Sequence, residues 1–216
     1  MAYTQTAGTQ VAIGSTYGPV VNMTAITNAV EAVATLAVGH AVVVGDFLEL
    51  TSGFALLDAQ IVRVKTVVTN DVTFELINTL STARFPAGTG AGSIRRITAF
   101  TALTQVGTFA GSGGELQFTD ITTISDLQQK QLPTTRTPVV INLGLYDDIL
   151  LAGQIAAKAA SDSGANTAMR LIFANGSRLV ANGVVALAFV PEIELASTLK
   201  RPLTYSLVSV PNQYPT

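Results

Sequence analysis

Apolar residues in this chain come in runs of strand length, each cut short by Gly, Asn, Asp or Pro. "TQVAIG", "HAVVVGDFLEL", "AQIVRVKTVV" and "DVTFELI" are rich in Val, Ile, Phe and Thr. Their branched or flat side chains suit a pleated surface. In "IVRVKTV", Arg63 and Lys65 alternate with Val62 and Val64, giving one polar and one apolar face at a period of two. Asn70-Asp71 and Asn175-Gly176 each lie between two such runs and predict hairpin bends. "VVINLGLY" and "RPLTYSLVSV" add strands further on. Punctuation this frequent predicts a mainly β fold.

One segment predicts a helix. "DDILLAGQIAAKAASDSG" opens on Asp147 and Asp148, suited to cap and charge a helix N-terminus, and stops at Gly164, suited to a left-handed C-terminal cap. Leu151, Ile155 and Ala159 recur at i, i+4 and i+8 and predict its buried stripe. "TAITNAVEAVATLA" fits either helix or strand. "DLQQKQLPTTRTP" is polar and Gln/Thr-rich, and predicts a long exposed loop. "FPAGTGAGSIRR" is rich in Gly and Pro and marks the best internal boundary.

Composition narrows the function. Of 216 residues, 48% are hydrophobic and only 12% charged, about half the usual charged share. Mean hydropathy is +0.44. The most apolar stretch, "LVANGVVALAFVP", is broken by Asn182, Gly183 and Pro191. That falls short of the roughly 20 apolar residues a spanning helix needs, and "MAYTQTAGTQ" lacks a signal-peptide pattern. A low-charge chain without membrane spans is expected to bury surface against other chains. With no cysteine and a formal charge of −2, it offers neither thiolate chemistry nor a nucleic-acid footprint.

The residues that could carry chemistry have plainer readings. His40, the single histidine, precedes Asp46 by six residues. With no second histidine or cysteine to complete a site, the pair is expected to flank a strand end, Asp46 capping the turn at Gly45. Asp147 and Asp148 diverge by roughly 100 degrees on a helix and do not converge on one atom. Glu192 and Glu194 share a strand face without a third ligand nearby. "GTGAG" and "GSGG" lack the Lys-Ser/Thr and helix of a phosphate loop. No catalytic, metal or cofactor site is expected. A carbohydrate-binding module would show exposed aromatics, yet aromatics are 6% and Trp is absent.

The order of pieces resembles the tail tube proteins of long, non-contractile-tailed bacteriophages. The matching features are "GTQVAIG", "GGELQF", the polar stretch ending "QLPTTRTPVVINLGLYDD", the Ala-rich helix and "RLIFANGSRLVANGVV". The stretch from "TAITNAVEAVATLAVGHAVVVGDF" to "VRVKTV" looks like a small β-module common in phage structural proteins. Its usual glycine after the histidine is replaced by Ala41. The resemblance implies a β-sandwich with one flanking helix, whose sheets join between subunits into a ring-shaped barrel. Hexameric rings would stack into a tube that houses a tape-measure protein, meets tail tip and terminator proteins, and passes DNA without binding it. A tail terminator or capsid decoration protein is the alternative.

Three expectations follow. The tube fold comprises residues 1–22 and 95–216, with 23–94 inserted as the small module. "TDITTISDLQQKQLPTTRT" serves as an inter-subunit arm, with Asp126, Gln128, Gln129, Lys130 and Arg136 as its contact residues. The lumen is neutral to acidic, drawing on Glu115, Asp120 and Asp126. The last rests on charge: 97–168 holds six acids against three bases (Lys130, Arg136, Lys158), whereas 169–216 holds two against four (Arg170, Arg178, Lys200, Arg201). A basic wall would hold DNA through its phosphates.

Overall fold

A computed structural model describes residues 7–193, 195 and 198–215. The fold is mainly β with a single helix among these residues. Its spine is two long antiparallel strands, β1 (Gln10–Ile26) and β6 (Gly92–Leu103), paired from Val11↔Leu103 to Met23↔Gly92. At 17 residues, β1 would span roughly 55 Å if fully extended. Irregularities between Gly14 and Val20 bend it, as extra residues in a ladder do. Each half of the spine serves a different core.

Around the second half of β1 lie β2 (Val33–Leu36), β3 (Phe47–Ser52), β4 (Ile61–Val68) and β5 (Asp71–Phe74). The pairings β1–β2–β5–β4–β3–β6–β1 close into a ring of strands. Alternation fills it: Leu48, Leu50, Val62, Val64, Val72 and Phe74 point inward with Met23, Ile26 and Ile94, while Arg63 and Lys65 stay on the outer face. Every buried residue of this core lies between 23 and 94, and Val21 packs against it from outside that range.

The first half of β1 continues into a sheet of β11 (Asn166–Ile172), β12 (Arg178–Leu187), β13 (Lys200–Leu207), β10 (Val140–Tyr146) and β7 (Val106–Ser112), in that order. Val11, Ile13, Leu143, Met169, Ala181 and Tyr205 are among the residues of the second core. Buried Tyr205 satisfies its hydroxyl on the Thr167 and Ala181 carbonyls at 2.7 and 2.9 Å. The helix α1 (Ala152–Ser163) packs on this core through Ala157. Gly153 is needed there, because a Cβ would sit 2.3 Å from the Ala102 carbonyl oxygen.

A third cluster, including Phe47, Ile61, Ile97, Val180 and Tyr214, joins the two cores. The short C-terminal strand β14 (Asn212–Tyr214) pairs with β12 and reaches the ring. The Tyr214 hydroxyl accepts from the Arg63 amide at 3.0 Å, and the Arg63 guanidinium lies over its ring at 5.0 Å. Asn212 donates to the Ile61 carbonyl at 2.8 Å. Fully buried Asn182 of β12 donates to Glu49 Oε1 and the Ala59 carbonyl, both at 2.9 Å. Glu49 in turn holds Arg95 at 2.6 Å, and Arg95 lies over the Tyr17 ring.

Burial pushes the Tyr214 hydroxyl up to about 12, from an ordinary value of 10.0. Tyr17 and Tyr205 are raised for the same leading reason. Between pH 10.0 and about 12 the unfolded chain holds fewer protons at Tyr214 than the folded one, so stability should fall as pH rises through that window. Urea midpoints measured across it should decline in the native chain and less steeply in Tyr214→Phe.

Several sequence expectations are corrected. Asp147 and Asp148 do not cap the helix: its N-cap is Leu151, without a side-chain cap bond. Asp147 pairs with Arg201 at 2.8 Å, and Asp148 takes the Leu150 amide in a local turn. Gly164 does form the left-handed cap, at φ +62°. The buried face of α1 is Gly153, Gln154 and Ala157. Ile155 and Ala159 of the expected stripe are exposed, because the helix lies close against β6, where only small residues or the hydrogen-bonded Gln154 fit. The segment 24–37 holds strand, not helix, as its Val and Thr content allowed. The bend between β4 and β5 falls on Thr69-Asn70, one residue early. The strand after His40 begins only at Phe47.

Candidate assembly surfaces

His40 has both ring nitrogens engaged by backbone: Nε2 lies 3.0 Å from the Thr69 carbonyl oxygen, and Nδ1 accepts from the Val42 amide at 3.4 Å. Asp46 takes the Val43 amide at 2.8 Å, closing the turn at Gly45, and pairs with Arg96 at 2.7 Å. The two residues shape a loop and leave no free base. Glu192 makes an isolated bridge with Lys200, and Glu194 lies outside the described residues.

The polar stretch forms a ribbon of two strands, β8 (Leu116–Asp120) and β9 (Gln131–Arg136), closed by residues 121–130. The expected loop is thus partly strand: Pro133 sits opposite Phe118 at a register shift, where its missing N–H costs the ladder little. Gly113 at the base has φ +88°, and a Cβ there would lie 1.9 Å from the Pro138 carbonyl oxygen, so the chain leaves the sheet through a turn that demands glycine. Every residue of both strands is exposed.

The expected arm and lumen residues share this one element. Glu115 lies at its base and Asp120 at the end of β8. Asp126, Gln128, Gln129 and Lys130 lie in the closing loop, and Arg136 ends β9, donating to the Gly114 carbonyl. The Thr122 hydroxyl and amide lower the Asp120 carboxyl below its ordinary range. Lys130 leads in lowering that of Asp126, followed by the amide and hydroxyl of Thr123. The loop's acids are therefore satisfied within it, while its apolar side chains are not: Ile124 and Leu127 are fully exposed at 108% and 107%.

Beside the ribbon's base lies an apolar groove of about 810 Å³, lined among others by Val11, Phe109, Val139, Ile141, Leu179 and Leu207, with no charged side chain. It takes in the start of β10 and the end of β13. The opposite end of these paired strands carries exposed apolar loops: Ile149 and Leu150 after β10, and Phe189, Val190 and Ile193 after β12. Among the described residues, the outer edge of β7 is unpaired in the sheet order. On the other face of β11 and β12, Arg170 stacks on Phe100 at 4.3 Å. Burial, and then Arg178, depress its basicity.

Composition led to the expectation of surface buried against other chains but did not say where the exposed apolar side chains lie. Ile124 and Leu127 were available as the apolar exceptions in a polar stretch, and Phe189-Val190 as an apolar pair against a Pro turn. The groove had no sequence signal, since it combines residues of six strands and their neighbouring loops.

Exposed apolar ends, a sheet edge without a partner among the described residues and a projecting ribbon are the features of a class of proteins that assemble. The family model described as phage tail tube protein matches residues 52–216, and the chain belongs to that family. It is a structural component of a phage tail. No curated protein matches the chain. Among the described residues, no helix is long and apolar enough to cross a membrane.

Proposed function

We propose that the chain forms hexameric rings that stack into the tail tube and serve as the conduit for DNA delivery. Family membership supports the tube. The observation that carries the stacking is the ribbon: its two strands are exposed throughout, and it is tipped by two large apolar side chains that no described residue covers. Leaving such a tip in water is unfavourable, and burying it against another copy is not. The ribbon is the arm between subunits, and the unpaired edge of β7 is where sheets of neighbouring copies join into a barrel. Tape-measure, tip and terminator proteins are its partners in the virion, and assembly takes place in the host cytoplasm.

Residues 23–94 act as a separate module on the tube's outside, a reading supported by a core whose buried residues all lie there. The lumen is neutral to acidic. In support, Arg201, Lys158 and Lys130 are each paired with an acid, so three cations of the tube fold are neutralised within the chain. Glu115 and Asp120 carry no such pair among the described residues.

Negative-stain micrographs of the purified chain test the reading. Tubes or stacked six-fold rings are expected; single closed rings would instead favour a terminator. In tubes, amides 116–136 should exchange more slowly than in isolated rings, and equal protection would remove the ribbon from the contact.

A further inference from the structure

We propose that the loop after β12, with Phe189, Val190 and Ile193, seats in the apolar groove of a second copy in the stack. The inference rests on the stacking proposed above and takes it to be head-to-tail. Most of the groove's lining lies at the end of the paired strands β10, β12 and β13 away from the loop, and along β7 it extends as far as Val106 and Gly107, beside Leu145 and Tyr146. Val139 and Leu207 mark one end; Tyr146, Lys200 and Leu187 mark the other. Copies repeating along the strand direction with the same orientation bring the groove end of one against the loop end of the next.

The surfaces match in chemistry. The groove is uncharged and about 810 Å³, within the range that takes several side chains. Phe189, Val190 and Ile193 are exposed at 85%, 72% and 79%, and Pro191 fixes the backbone between them. The ribbon tip is the competing occupant. It leaves the fold beside Pro138 and Val139, at the groove's own end. For tips to fill grooves along the stack, like ends would have to face each other. That contact is two-fold and closes as a dimer, whereas a tube needs a heterologous contact that repeats.

The chain has no cysteine, so site-directed cross-linking reads the contact directly. The double variant Val190→Cys/Val139→Cys, treated with a short bis-maleimide, should give a ladder of covalent oligomers extending beyond six copies. Each single-cysteine parent should form tubes and give no ladder. A ladder from Leu127→Cys/Val139→Cys but none from the first pair would overturn the proposal in favour of the ribbon tip. A ladder that stops at the ring's copy number would overturn it by placing the contact within a ring. Tubes that cross-link in neither pair would also overturn it. If the wild-type chain forms no tubes by microscopy, the stacking reading itself fails, which is a separate observation from any cross-link.

Discussion

Replacing Ile124 and Leu127 together by aspartate should abolish tube growth while leaving the subunit's unfolding free energy within about 0.5 kcal/mol of the native value. Both side chains are fully exposed in the single subunit, so the folded monomer loses no packing. In an assembled contact the same change buries two unpaired carboxylates, each costing several kcal/mol. Sedimentation and urea unfolding, run on the same protein, separate the two effects. The local geometry should survive, because Asp126 and Lys130 pair on their own and Thr123 donates to Asp126 from both its amide and hydroxyl. Normal tubes from the double variant would show that the tip is not an assembly contact. A large drop in subunit stability would show instead that the tip belongs to the fold.

Tyr214→Ala should cost the subunit about 3–5 kcal/mol, the range for deleting a large buried aromatic. Tyr214 is 1% exposed, packs near Phe47 at 6.2 Å between centroids, lies under Arg63 and accepts the Arg63 amide. Removing it opens a cavity between the two cores and leaves that amide without its partner. The loss should be read in urea unfolding. Tyr214→Phe keeps the ring and should lose only about 1–3 kcal/mol, from the orphaned amide. If both variants unfold at the native urea concentration, β14 does not join the cores. A separated transition for residues 23–94 in Tyr214→Ala would show that β14 makes the two cores unfold as one.

Much of the fold was legible because its signals are local. Val62, Arg63, Val64 and Lys65 alternate, and the structure places the valines inside and the charges on the outer face. "ANGS" marked a bend, and Gly176 takes φ +83° there. The failures share a cause. Leu151, Ile155 and Ala159 have the spacing of a buried stripe, but periodicity identifies a face without saying which face meets the sheet. The close approach of Gly153 to β6 decided that, and turned Ile155 outward. Asp147 looked like a cap because capping residues are common before helices. A partner 54 positions away, Arg201, claimed it.

The same division holds for the assembly surfaces. The chain's strand-length apolar runs determined, without any coordinates, that it would be β-rich, and its low charge led to the expectation of surface buried against other copies. The order of its motifs carried the family resemblance. Only the tertiary structure decided where its exposed apolar surfaces lie. The groove depends on residues from Val11 to Leu207 meeting across a curled sheet, and the clamp of Asn182 on Glu49 and Ala59 spans two cores. Such contacts are set by which strands pair and how the sheet bends, and these follow from the sum of many weak long-range interactions, not from any one stretch of sequence.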